Sequence, residues 1–194
     1  FFTDTLLWMP FVYAPVIIAG YIVWRQTVVD AGRPNWRNLV GFLNGQGLRE
    51  KVQWKWEYVP FAIIFGYLGA NMEHWVLGNE ALVWDLGPLD LSKLMLVMVV
   101  FVGFGEELVF RGLLQSSIAT NFGRGVAVLA SSLLFAAMHS GYHNVPYLCF
   151  VFGIGLALAL AYERTGSLGL AALMHGLLNF FLFSFVPFGY DLLP

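Results

Sequence analysis

For 38 residues, from Gly125 to Tyr162, the chain carries no Asp, Glu, Lys or Arg. A helix crosses the hydrocarbon core of a bilayer with about 20 mostly apolar residues, so this run is too long for one span. Ser140-Gly141-Tyr142-His143-Asn144-Val145-Pro146 supplies a turn inside it and divides it into two. The rest of the chain has the same character. Of 194 residues, 59% are hydrophobic and 11% charged, and the mean hydropathy is +0.71. A water-soluble domain carries closer to about 25% charged residues, and a chain of this length in water could not hide so many Phe, Leu and Trp side chains. The expected fold class is an all-α integral membrane protein, a bundle of about six transmembrane helices.

The six expected spans run from about Leu6 to Trp24, Tyr58 to Leu77, and Leu91 to Ile118, then through the two halves of the uncharged run, and finally from Leu168 to Pro187. They form a single membrane domain over 1–194. Residues 1–90 give two N-terminal spans and a basic loop, 25–55, and residues 91–188 give a four-span core that holds the chemistry. Residues 5–24 lack a basic leader and a small-residue cleavage site, so they read as a span and not a signal peptide. The first residue is Phe1, which suggests a fragment or a processed form. No internal repeat is evident. Cys149 is the single cysteine, expected as a small core residue with no disulfide framework.

Six of the ten basic residues, Arg25, Arg33, Arg37, Arg49, Lys51 and Lys55, lie between the first two expected spans, and Arg124 and Arg164 fall in the next two loops on that side. The opposite loops carry Glu80, Asp85, Asp90 and Asp191. The positive-inside rule makes the basic loops cytoplasmic and puts both termini outside. Residues 33–56, with Trp36, Phe42, Trp54 and Trp56 among basic side chains, read either as an interfacial amphipathic stretch or as an ordinary loop with aromatic-belt residues. A net charge of -2 gives nucleic acid no attraction.

Ionisable side chains inside spans are costly and point to function. The third span carries Glu106, Glu107 and Arg111. Neighbouring residues on an α-helix point about 100° apart, so the two carboxylates are expected on different faces. Glu107 stands four residues before Arg111, the favourable order for an ion pair, which leaves Glu106 facing elsewhere without a local partner. Such a carboxylate suits general acid–base chemistry; the plainer reading pairs both acids with Arg111 or another helix. Phe135 and His139 share a face at i and i+4, so the ring walls the imidazole, although a lone histidine at a helix end is more often only capped or wetted. His175 and Asn179 also share a face. They can aim two donors at an oxyanion or simply bond helices together. Taken together, the third, fourth and sixth spans carry a kit for hydrolysis by an activated water. HExxH, GxSxG and GxGxxG are all missing.

Glu106-Glu107-x-x-x-Arg111, Phe135-x-x-x-His139 and His175-x-x-x-Asn179 resemble the three ordered motifs of the CPBP family, the CAAX proteases and bacteriocin-processing enzymes, also called Abi or Rce1-type glutamate intramembrane proteases. Glu163-Arg-Thr-Gly-Ser167-Leu is similar to the family's lead-in to its last motif. The resemblance covers roughly 91–185, and the first two spans carry no signature. It implies that Glu106 and His139 activate the water, that His175 and Asn179 stabilise the oxyanion, and that Glu107 and Arg111 support the site with Phe135. It implies no metal; the alternative is zinc at Glu106, His139 and His175.

The expected partners are the lipid bilayer and a peptide or lipid-anchored protein substrate, cleaved near its C-terminus, and the expected location is a prokaryotic inner membrane. The inferred orientation opens the chamber outwards, which suits trimming of exported or membrane-anchored peptides. Two other functions fit the same residues: a non-catalytic bacteriocin-immunity or peptide-binding protein, and a proton-coupled transporter. Glu73 and His74 are expected as a solvated interfacial pair, and His143 and Asn144 as turn residues.

Overall fold

The computed structural model describes residues 2–28, 55–142 and 144–193. Most of the basic loop 25–55, most of the stretch 33–56, and His143 lie outside the described residues. Among those described, all regular structure is helical. Helix α1 is Phe2–Val28 and α2 is Tyr58–Leu77. Next comes a long helical segment in which the turn type alternates: α3 (Pro88–Leu96), a π-helical stretch Val97–Gly103, α4 (Phe104–Glu107), a second π-helical stretch Leu108–Gln115, and α5 (Ser116–Phe122). Helices α6 (Arg124–Met138), α7 (Val145–Thr165) and α8 (Leu168–Leu182) complete the bundle.

Among the described residues, three stretches are long and apolar enough to cross a membrane: Leu6–Trp24, Val145–Thr165 and Leu168–Phe188. They coincide with the first, fifth and sixth expected spans. The fourth is shorter than expected, because α6 has 15 residues. At about 1.5 Å per residue it rises about 22 Å, less than the roughly 30 Å of a hydrocarbon core. Chain punctuation explains the breaks. Asn144 caps α7 by accepting the Tyr147 N–H at 3.0 Å, and Ser167 caps α8 by accepting the Leu170 N–H at 3.1 Å. Between α7 and α8, Gly166 takes a left-handed φ of 67°, which closes the first helix as the second begins.

Helix α8 is the hub. In the most apolar window of the last span 67% of residues are buried against protein, compared with 6% for the first. Missing side chains permit its neighbours' close approach. A Cβ at Gly176 would sit 2.5 Å from the Val99 Cα and 2.8 Å from the Met98 carbonyl oxygen. One at Gly103 would meet the Ala172 oxygen at 2.7 Å, and one at Gly66 of α2 would meet the Leu177 backbone at 2.9 Å. Small residues at these crossings bring whole backbones together, the usual basis of helix association in lipid.

Helix α1 lies on the outside. Leu6, Met9, Tyr13, Ile17, Tyr21 and Trp24 turn toward the bundle, while Leu7, Trp8, Phe11 and Ile18 are exposed. Cys149 departs from expectation: it is exposed on α7. In a bundle read as lipid-facing, an apolar run has no need to bury every small residue. Near the C-terminus, the Leu192 N–H reaches the buried Asn71 Oδ1 at 2.5 Å, and the Tyr67 hydroxyl donates to the Tyr190 carbonyl.

Packing at Gly176 should tolerate nothing larger. Gly176→Ala is expected to destabilise the protein by about 1–3 kcal/mol, the usual cost of overpacking. Gly153→Ala, where a Cβ meets nothing within 4 Å, should be neutral or slightly stabilising. Thermal unfolding in detergent checks the pair.

Candidate active site

The turn that carries both carboxylates, Phe104–Glu107, is a single α-turn between two π-helical stretches. The Phe104 N–H reaches back to the carbonyl of Val99, five residues earlier. Such wide turns re-aim the side chains of the next turn and recur at functional sites. The regular 100° spacing expected for this segment is therefore not kept around it.

Glu107 and Arg111 are fully buried and paired, with Nη1 donating to Oε1 at 2.8 Å. The Arg111 Nη2 donates to the Gly155 carbonyl at 2.9 Å, and its guanidinium lies 4.6 Å from the centre of the Phe135 ring. The same Glu107 oxygen accepts from the His175 Nδ1 at 2.9 Å. Two donors from two elements thus converge on one oxygen, while Glu107 Oε2 and Arg111 Nε have no hydrogen-bond partner among the described residues. The expected ion pair is present, and His175 is a third member that the spacing did not indicate.

Glu106 differs from expectation in two respects. It has a partner, since the Tyr13 hydroxyl of α1 donates to Oε1 at 2.5 Å. It also shares a neighbour with Glu107, because its Oε2 lies 3.9 Å from the His175 Nε2. The two carboxylates diverge along the helix, yet they meet opposite nitrogens of one imidazole. Glu106 is half-buried and His175 is buried, so the cluster opens on the Glu106 side.

Phe135 joins the second histidine to this group. Its ring centre lies 4.9 Å from that of His139 and 5.5 Å from that of His175. The His139 Nδ1 donates to the Phe135 carbonyl at 2.9 Å; a carbonyl only accepts, so in the neutral ring Nε2 is left with a lone pair. His139 is half-buried at the end of α6, and Asn179 is half-buried one turn beyond His175. Among the described residues, no three ligating side chains are grouped for a metal.

Residues 88–181 match the family model of type II CAAX prenyl endopeptidases, Rce1-like. That stretch is similar to the CAAX proteases. The chain is also similar to an uncharacterized 24.3 kDa protein of Escherichia coli, 32% identical over 88 residues, which are 44% of this chain and 41% of that protein. It therefore spans about two-fifths of the length of the curated relative it matches. No solved structure matches. The matched stretch runs from the start of α3 into α8 and contains Glu106, Glu107, Arg111, Phe135, His139, His175 and Asn179. Tyr13 and Glu73 lie outside it.

Glu73 also departs from expectation. It is buried on α2, not solvated, and the Tyr147 hydroxyl donates to it at 3.2 Å. Its position near a predicted span end masked this, because packing of α2 along α8 buries it. Tyr13 carried a weak signal: it sits on the Leu6, Met9, Ile17 stripe, the polar-tipped member of an otherwise apolar face.

Removing one partner from a buried ion pair costs about 3–5 kcal/mol. Arg111→Met is expected to lower folded yield and the unfolding midpoint in detergent far more than Glu106→Gln, whose carboxylate is partly solvated. Arg111→Met combined with Glu107→Gln should recover part of that loss.

Proposed function

We propose that this protein is a multi-pass intramembrane endopeptidase. It hydrolyses a peptide bond of a membrane-associated or exported peptide, near the C-terminus, with a water activated by Glu106 and His139 and without a metal. The observation that carries the reading is the two-sided engagement of His175: Nδ1 on Glu107 at 2.9 Å and Nε2 facing Glu106 across 3.9 Å. A gap of that size is too long for a hydrogen bond and suits a bridging water.

The roles follow from the donors and acceptors. Glu106 and the free Nε2 of His139 take the proton as the water attacks the scissile carbonyl. Two carboxylates and one guanidinium leave one negative charge in the cluster, which a second proton on His175 cancels. In that form Nε2 is a donor, and with the Asn179 amide it stabilises the oxyanion of the tetrahedral intermediate. Glu107 holds the imidazole orientation, and Arg111 holds Glu107. The proton taken from water then goes to the departing amine as the C–N bond breaks.

The family match supports peptidase chemistry, and a prokaryotic inner membrane is the setting we propose. Arg124, whose side chain is largely exposed and pairs with Glu163 at 3.3 Å, suits the interface. Helix α6 starts there and ends about 22 Å further on, which would place His139 inside the layer.

Glu106→Gln should abolish cleavage while leaving insertion and folding intact, a loss of at least about 10²-fold for a general base. Mass spectrometry of protein C-termini in membranes carrying wild-type or variant protein checks this; unchanged C-termini with wild-type and variant alike would contradict it. Asn179→Ala should lower kcat by roughly 10²–10³-fold, as loss of an oxyanion donor does.

A further inference from the structure

We propose that Tyr13, on the first helix and outside the family-matched stretch, is the positioning residue for the catalytic carboxylate. The inference rests on the reading of Glu106 as the base. The terminal torsion of a glutamate is broad and roughly two-fold, so a half-buried carboxylate with no partner would swing between orientations. Here the Tyr13 hydroxyl donates to Oε1 at 2.5 Å, which leaves Oε2 as the oxygen that faces the His175 Nε2. One oxygen is held and the other is left for water.

The tyrosine is itself held. A Cβ on Gly105, next to Glu106 in sequence, would lie 2.9 Å from the Tyr13 Cδ1, so the ring fits against that turn only because residue 105 has no side chain. Below it, Ile17, Tyr21 and Trp24 pack against Phe104, Leu108 and Leu168, which fixes the register of α1 on the long segment. Leu6 and Met9 anchor the helix above it. The contact spans 93 positions of sequence. The hydrolytic site is therefore incomplete without the first helix: residues 88–181 supply the base, and residue 13 sets its aim.

Tyr13→Phe removes only the hydroxyl and keeps the ring against Gly105. The probe is an internally quenched peptide ending in a farnesylated Cys-aliphatic-aliphatic-any sequence, presented to full-length protein in mixed micelles. Tyr13→Phe should lower kcat by about 10–100-fold, the scale expected from slight misplacement of a reacting group, with KM and the unfolding midpoint unchanged. In a Glu106→Gln background, Tyr13→Phe should have no further effect on the residual rate. Infrared difference spectra give a reading that needs no turnover: the carboxylate band lost in Glu106→Gln should shift in Tyr13→Phe.

A wild-type kcat in Tyr13→Phe, or an unshifted band, overturns the positioning role. If Glu106→Gln is inactive in the same assay, the base assignment stands and only the Tyr13 inference fails. Full activity in Glu106→Gln overturns the base assignment itself.

Discussion

One oxygen atom organises this site. Glu107 Oε1 receives the Arg111 guanidinium at 2.8 Å and the His175 imidazole at 2.9 Å, in a place with no access to solvent. Burying either charge alone is prohibitive, and burying both is tolerable only when geometry and extra hydrogen bonds compensate. The compensation comes from three other elements. Gly155 of α7 accepts from the guanidinium, Phe135 of α6 stacks near it, and His175 of α8 completes the carboxylate. The ion pair therefore fixes where four helical segments meet, and the Nε2 edge of His175 is turned toward Glu106 as a result.

Backbone proximity makes that meeting possible. The Gly103 and Gly176 contacts bring the long segment and α8 to within van der Waals distance of each other's main chain, one turn away from Glu106 on one side and next to His175 on the other. Side chains of ordinary length can then span the remaining gap. Where a larger residue would force the helices apart, the 3.9 Å gap between Glu106 and His175 would widen.

Much of this could be read from residue order, and the features that could not have identifiable causes. The uncharged run and its central turn announce α6 and α7, and the i, i+4 spacings of Glu107 with Arg111 and of Phe135 with His139 become real contacts. The helical class and the last span come from hydropathy alone. Three features depend on tertiary placement and left little trace. The π-helical stretches around Glu106 carry no proline or repeat that marks them. The Tyr13 contact joins helices 93 residues apart. Glu73 sits where a span end was expected, yet packing of α2 along α8 buries it. Cys149 is the opposite case: an apolar sequence context suggests burial, and a lipid-facing surface removes the need for it.

Glu106 faces the imidazole of His175 across a gap of 3.9 Å. Solid-state NMR on protein reconstituted in lipid bilayers, with nitrogen-15 histidine and carbon-13 glutamate carboxylates, measures that approach directly. The two His175 nitrogens should couple to different carboxylates, Nδ1 strongly to Glu107 and Nε2 more weakly to Glu106, with the weaker coupling absent in Glu106→Gln. A His175 ring coupled to Glu107 alone, in spectra unchanged by Glu106→Gln, would contradict it.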